Sequence, residues 1–388
     1  MIEKLGINYH DLKTKNRSLI LKLLATGKCN SRIELAKESG LTKMSVSNII
    51  SDFISMGLVE ESHVEETHGV GRSPIILDIN KNGPKVVGLH IGREGCSVAL
   101  YDLKLNKLNS TYGELSDKTK DGLVALIIGL IDEIIDKNSV IAIGIGTIGP
   151  LDLENGVILN PPNFFGITNI HIVDILRERY KIPVYMDSQY NNAALAEKYY
   201  GNGKDYDDFI FLGITSGIGS GIILNGELMK NSSMLTSEVG HTSIDFRGNY
   251  CDCGNRGCLE TYASSNVIRN RLVLETEKEN TFEEFCTMTE DPRIDRVFME
   301  MMEYLSYGLV SCINLFNPQI IMLGDRGVFL PDRYLDYLES QINKYKLSKS
   351  YNYVKVVRPM FGEQAQLAGS AVCVLEQIFQ GNLLINRE

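Results

Sequence analysis

Apolar residues at helical spacing open the chain: Leu19, Ile20, Leu23 and Leu24 fall on one face of a helix predicted over 15–26. Ser31 stands at an N-cap position with Glu34 three residues on, a capping-box pattern. The helix it starts is expected to reach about Ser39. Gly40 makes a turn, and Thr42 opens a third helix whose buried stripe is Val46, Ile49, Ile50 and Phe53. Two short helices joined at a glycine fit a helix-turn-helix. From Gly57 the pattern changes to strand. A turn at Gly69-Val70-Gly71 and a second apolar run at 75–79 predict a hairpin, the wing of a winged helix.

Beyond residue 80, strands and helices alternate. Strands are predicted at 85–91, 96–103 and 108–115, a helix at 121–137, a strand at 140–146, a helix at 169–180, a strand at 183–186 and a helix at 192–200. A similar order restarts: strand 209–214, a glycine-rich turn at 215–221, strand 222–224, helices near 264–275 and 297–316, strand 320–324, helix 331–346, strand 353–357 and a last helix near 363–379. Strands that feed helices repeatedly mean an α/β fold with mostly parallel sheets. The repeated strand-turn-strand opening predicts two related lobes with a cleft between them, a favoured place for small ligands.

The composition, 44% hydrophobic and 23% charged over 388 residues, supports sizeable cores and two or three domains. No apolar run reaches the roughly eighteen residues that a membrane span needs. The first residues lead into an amphipathic segment without a signal-peptide core, so a cytoplasmic protein is expected. Cys29, Cys96, Cys286, Cys312 and Cys373 lie scattered in apolar or helical contexts and read as reduced core thiols. Charge is uneven: residues 1–59 carry nine Lys/Arg and five Asp/Glu, net +4, on a chain of net charge −10. A basic head on an acidic body suits an approach to phosphates. Thr42, Lys43, Ser45, Ser47 and Asn48 would face base edges and phosphates in a major groove. Ser31 and Arg32, which open the preceding helix, are expected to contact the DNA as well, and Arg72 on the wing would enter a minor groove. A small protein-interaction domain with a solvated polar face is the competing reading of the same residues.

The densest chemistry lies between Glu238 and Glu260. His241, Cys251, Cys253 and Cys258 give H-x9-C-x-C-x4-C. Thiolate and imidazole are the ligands Zn²⁺ favours, and four of them close a tetrahedral structural site. Gly248, Gly254 and Gly257 would let the loop fold back on itself. The metal would brace a loop that presents Glu238, His241 and Glu260 to a polar ligand; a purely structural knuckle is the alternative.

Several motifs together resemble the ROK family of repressors, open reading frames and sugar kinases. They are Gly71-Arg72-Ser73-Pro74, the G-P-L-D turn at 149–152, the stretch 160–166, T-S-G-I-G-S-G-I-I-L-N-G at 215–226, and E-V-G-H followed by C-x-C-G-N-R-G-C-L-E. The run 244–258 most resembles the xylose-repressor branch. The resemblance implies a winged helix-turn-helix over 1–80 and an actin/hexokinase-like pair of ribonuclease-H-like lobes over 81–190 and 191–362. The segment 363–388 would return to the first lobe. It also implies that Asn163 and Gln189 join Glu238, His241 and Glu260 in holding a small sugar, xylose or another monosaccharide. Operator DNA and a homodimer or tetramer are implied as partners.

Kinases of the family carry D-x-G-G-T on their first strand and a catalytic Asp in N-D-A-N. Here these become His90-Ile91-Gly92-Arg93-Glu94 and Ser188-Gln189-Tyr190-Asn191, and Gly324-Asp325-Arg326-Gly327 replaces a glycine pair. An amide at 189 cannot take the proton of a sugar hydroxyl. The expectation is therefore a sugar-responsive repressor without kinase activity. A sugar kinase with an added DNA-binding head, and a repressor answering to a partner protein, are the alternatives.

Overall fold

The computed structural model describes residues 9–63, 75–135, 139–230 and 237–383. Three helices form the head: α1 (Tyr9–Ala25), α2 (Arg32–Ser39) and α3 (Lys43–Ser55). Ser31 Oγ accepts from the Glu34 amide at 3.3 Å, but Glu34 Oε2 takes the Asn30 amide rather than that of Ser31. The reciprocal half of the expected capping box is thus displaced by one residue. Gly40 closes α2 at φ 70°, and Thr42 caps α3 through the Ser45 amide. Val46, Ile50 and Phe53 are buried while Ile49 is only half-buried. An antiparallel pair, β1 (Val59–His63) and β2 (Ile75–Ile79), follows as the predicted hairpin. Its tip, with Arg72 and the predicted turn at 69–71, lies outside the described residues.

The first lobe contains β3 (Lys85–Ile91), β4 (Gly95–Asp102), β5 (Lys107–Glu114), α4 (Lys120–Ile134) and β6 (Val140–Thr147). A short β7–β8 pair (Leu151–Asp152 and Val157–Ile158), α5 (Ile172–Tyr180) and β9 (Val184–Ser188) complete it. Its sheet runs β5-β4-β3-β6-β9, antiparallel through β3 and parallel beyond. After α6 (Gln189–Tyr200) the plan repeats in β10 (Phe209–Ile214), β11 (Ile218–Leu224), β12 (Glu227–Leu228), α7 (Glu260–Ala263), α8 (Ser265–Thr276), α9 (Phe282–Cys286), α10 (Pro292–Phe316), β13 (Ile320–Asp325), α11 (Asp332–Tyr345) and β14 (Lys355–Val357). That sheet runs β12-β11-β10-β13-β14 with the same alternation of antiparallel and parallel pairs. Two lobes of one design are therefore borne out.

The last helix, α12 (Ala365–Gln380), lies on the first sheet. The approach needs glycine: a Cβ on Gly144 would sit 1.9 Å from Ser370 O, and one on Gly88 would sit 2.9 Å from the Ala371 nitrogen. One apolar core fills the first lobe around α4 and α5, and a second fills the other lobe around α8, α10 and α11. A third runs from the head helices through α6 and α12 to the inner faces of both sheets. The two central helices thereby touch all three parts of the chain.

Two expectations shift. The glycine run is a turn only as far as Gly217, because β11 already begins at Ile218. Its glycines are strand residues that make room for a side chain: a Cβ on Gly219 would stand 2.0 Å from the Tyr190 ring, and one on Gly221 2.2 Å from Tyr190 O. Helix α6 begins at Gln189, three residues before the predicted start, because Ser188 accepts from the Asn191 amide as an N-cap.

Candidate functional site

A cavity of about 460 Å³ opens between the lobes. Asn163, Gln189, Glu238, His241 and Glu260 all line it, with Arg93, Ser216 and Asp252. Each arrives from a different local device. Asn163 stands at φ 55° in the loop after β8, a conformation asparagine tolerates better than most residues. Gln189 is the first residue of α6 and Glu260 the first of α7, while Glu238 and His241 flank a single turn of 3₁₀ helix. Two carboxylates, an imidazole and two amides facing one concavity make a surface rich in hydrogen-bonding groups, as a polyhydroxylated molecule requires.

Beside it lies the cysteine cluster. The Leu259 amide donates to Thr242 O and the Ile244 amide to Gly257 O, and these backbone hydrogen bonds double the loop back. Gly257 stands at φ 70° with Asp245 O only 1.8 Å from where a Cβ would be, so no other residue fits. Gly254 has φ 91°, whereas Gly248 is required by contact, since its Cβ would strike the Tyr262 hydroxyl. His241, Cys251, Cys253 and Cys258 bring their ligand atoms within 4.8 Å of one another. His241 Nδ1 is 3.5 Å from Cys251 Sγ, and Cys253 Sγ is 3.7 Å from Cys258 Sγ. Bonds of about 2.0–2.3 Å to a tetrahedral zinc place neighbouring ligand atoms roughly 3.4–3.8 Å apart, so the donor set and spacing fit that ion. Glu260 Oε1 reaches both Cys251 Sγ (3.2 Å) and His241 Nδ1 (3.4 Å), tying the cluster to the cavity wall.

Behind the cavity wall, Gln189 meets His90, the other residue that the family resemblance singled out. His90 Nε2 lies 2.9 Å from Gln189 Oε1, and burial pushes the imidazole below its usual pKa. A neutral ring donating from Nε2 to the amide oxygen satisfies both groups. Asp187, one residue before Ser188, is buried and accepts from Asn191 Nδ2 (2.8 Å) and the Ser188 amide (2.7 Å). It is not among the residues lining the cavity.

Two residues that the sequence singled out only as departures from the kinase motifs take places at this site. Arg93 crosses the cavity mouth, donating to Pro162 O (3.2 Å) and Ser216 Oγ (3.3 Å), and so links the lobes. Asp325, at φ 52° and ψ −128°, is buried beside Tyr190, and its Oδ2 has no hydrogen-bond partner among the described residues. Burial pushes its carboxyl up to about 7. The unfolded chain ionises near pH 4 while the folded one holds its proton to about pH 7, so this residue removes stability as pH rises across that window. Asp325→Asn, which mimics the neutral acid, is expected to raise the melting temperature at pH 8 by about 2–4 °C. The gain should vanish at pH 4; an equal gain at both pH values in thermal denaturation would refute this account.

In the head, Lys43 and Asn48 are exposed on α3, with Ser47 half-buried between them. Thr42 is engaged as the cap of α3 and its hydroxyl contacts Ser45 Oγ at 2.9 Å. Ser31 caps α2, and Arg32 pairs with Glu61 of β1 at 2.5 Å. Met44 is 75% exposed at the first turn of α3, an apolar side chain among the polar groups of that face.

A chain in Caldicellulosiruptor bescii named xylose repressor is 28% identical over 96% of this chain and 98% of its own length. The N-acetylglucosamine repressor of Escherichia coli O157:H7 is 28% identical over 96% of this chain and 95% of its own. The crystal structure of a ROK family transcriptional regulator, a homologue of the E. coli MLC protein, superposes with a TM-score of 0.81 at 28% identity, covering 95% of this chain and 97% of the other. The pattern of the ROK family matches residues 86–377, both lobes and α12 together, and the chain belongs to that family.

Proposed function

We propose that the chain is a DNA-binding transcriptional repressor whose lobes sense a monosaccharide, and that it transfers no phosphoryl group. The observation that carries the reading is the hydrogen bond between His90 and the cavity-lining Gln189. It fills the place of the kinase acid and base with two groups that satisfy each other. An amide is no general base, and a half-buried imidazole whose pKa desolvation lowers draws no Mg²⁺–phosphate to the first strand. Full-length relatives named repressors support the same direction.

Glu238, Glu260 and Asn163 would exchange hydrogen bonds with sugar hydroxyls, and Gln189 would offer its amide NH₂. His241 would hold zinc through Nδ1, the nitrogen nearest Cys251, and present Nε2 to the sugar. The ion supplies rigidity, fixing ring and loop, rather than chemistry. In the head, Lys43, Ser47, Asn48 and Met44 would enter a major groove, and a dimer would read two half-sites. No described helix is long and apolar enough to cross a membrane.

The relatives point to xylose and N-acetylglucosamine as first probes. A true effector stabilises the folded lobes by mass action, about 2.7 kcal/mol at one hundred times its Kd. D-xylose is expected to raise the melting temperature and N-acetylglucosamine to leave it unchanged, with no ADP released from ATP and either sugar in a coupled assay. Steady ADP release would restore the kinase reading. Silence across a panel of pentoses, hexoses and amino sugars would leave a repressor that answers to a protein.

A further inference from the structure

Helix α6 has one end in the cavity and the other against the head. Gln189 is its first residue and lines the cavity; Tyr199 stands ten residues on, about 15 Å along the axis. Tyr199 donates its hydroxyl to Glu376 of α12, a buried carboxylate that also takes Gln380 Nε2. Lys22 of α1 lays its ammonium 4.4 Å from the centre of the Tyr199 ring. Burial pulls Lys22 below its usual pKa and Glu376 opposes that shift, which places the cation and the carboxylate around one phenol.

Neither helix can slide freely on the other. A Cβ on Gly369 of α12 would lie 2.4 Å from the Asn192 carbonyl carbon of α6. At the far end of α12, Gly381 abuts Thr14 and Ser18 of α1. From α1 the contacts continue to the DNA-facing helix: Arg17 pairs with Asp52 of α3 at 2.6 Å and lies 5.0 Å from the centre of the Phe53 ring.

We propose that this path couples the cavity to the head, with Tyr199, Glu376 and Lys22 as the residues that set the position of α1 according to the state of α6. The proposal rests on the reading of the cavity as a sugar site. A ligand that pulls on Gln189 moves a rigid helix whose other end holds a cation and a carboxylate. Such a helix has two ends and one displacement, so α1 follows. A second head–body contact, Lys104 with Asp78 of β2 at 2.8 Å, lies off this path and serves as a control.

Amide hydrogen exchange on the full chain tests it in two arms. With D-xylose as probe, wild-type protein should show slowed exchange in the first turn of α6 and altered exchange in α3. The change in α3 should be about fivefold or more, the low end of ordinary two-site coupling. In Lys22→Met and Tyr199→Phe the cavity end should still respond while the α3 response is lost. Lys22→Arg, which keeps the cation over the ring, and Lys104→Ala should both retain it. An α3 response of wild-type size in Lys22→Met overturns the proposal. The second arm uses no sugar. Coupling is reciprocal, so Lys22→Met alone should speed exchange at residues 190–193 and Lys104→Ala should not. No change there overturns the proposal as well. If D-xylose alters neither end of the wild-type protein, the sugar assignment fails and the ligand-free arm still decides the coupling.

Discussion

Cys253→Ser should strip the metal from the loop and with it most of the sugar affinity. Cys253 is the exposed member of the cluster, whereas Cys251 and Cys258 are 8% and 0% exposed, so its sulfur can be replaced with little loss of packing. A serine hydroxyl does not deprotonate to serve as a soft ligand, which leaves three donors for an ion that closes its structural sites with four. His241 then loses the bond that fixes its ring, and Glu260, 3.4 Å away, loses a fixed neighbour. Zinc content by atomic emission should fall from near one ion per chain to near zero after dialysis. Sugar affinity by calorimetry should drop about tenfold or more, roughly 1.4 kcal/mol. Operator binding without sugar should hold, because the head shares no residue with the loop. Full sugar affinity in metal-free protein would mean that the cluster is a knuckle with no bearing on the cavity.

The His/Cys loop was legible because its chemistry is local: four candidate ligands of two types at fixed spacing, and glycines at 254 and 257 whose positive φ the turn demands. The lobes were legible because buried parallel strands read as apolar runs and the order of elements repeats. What stayed hidden depends on contacts between distant segments. The glycines 219 and 221 look like a turn in sequence, and only the packing of Tyr190 on them shows that they are strand. The Glu34 carboxylate sits where a capping box predicts, yet its partner is one residue off. Arg32 looked free for DNA, but Glu61, 29 residues away, holds it. Arg93 stood out only as a bulky residue in a glycine-rich motif, since its role at the cavity mouth exists only once Pro162 and Ser216 face it.

The two positions that the family resemblance reads as departures from its kinases fall on one contact. His90 and Gln189 are 99 residues apart in the chain and in contact in the fold. A carboxylate there, as in Gln189→Asp, would still accept from the ring N–H and would draw the imidazole towards its charged form.

Asn48→Ala and Lys43→Ala should both weaken DNA binding but in different ways, and the difference tests which face of α3 enters the groove. Both side chains are exposed near the start of that helix, the part that meets base edges in helix-turn-helix proteins. An asparagine amide matches the donor and acceptor of adenine, so Asn48→Ala should cost about 1–3 kcal/mol on the operator and far less on unrelated DNA. A lysine ammonium binds phosphate without regard to sequence. Lys43→Ala should therefore weaken operator and unrelated DNA alike and reduce the slope of log K against log salt by about 1. Arg32→Ala should act through the hairpin it anchors at Glu61, lowering the stability of the head without a change in salt slope. Gel shifts across a salt series separate the three. Uniform weakening by Asn48→Ala on every sequence, with an unchanged slope for Lys43→Ala, would turn α3 away from the bases and leave the polar face of the head to a protein partner.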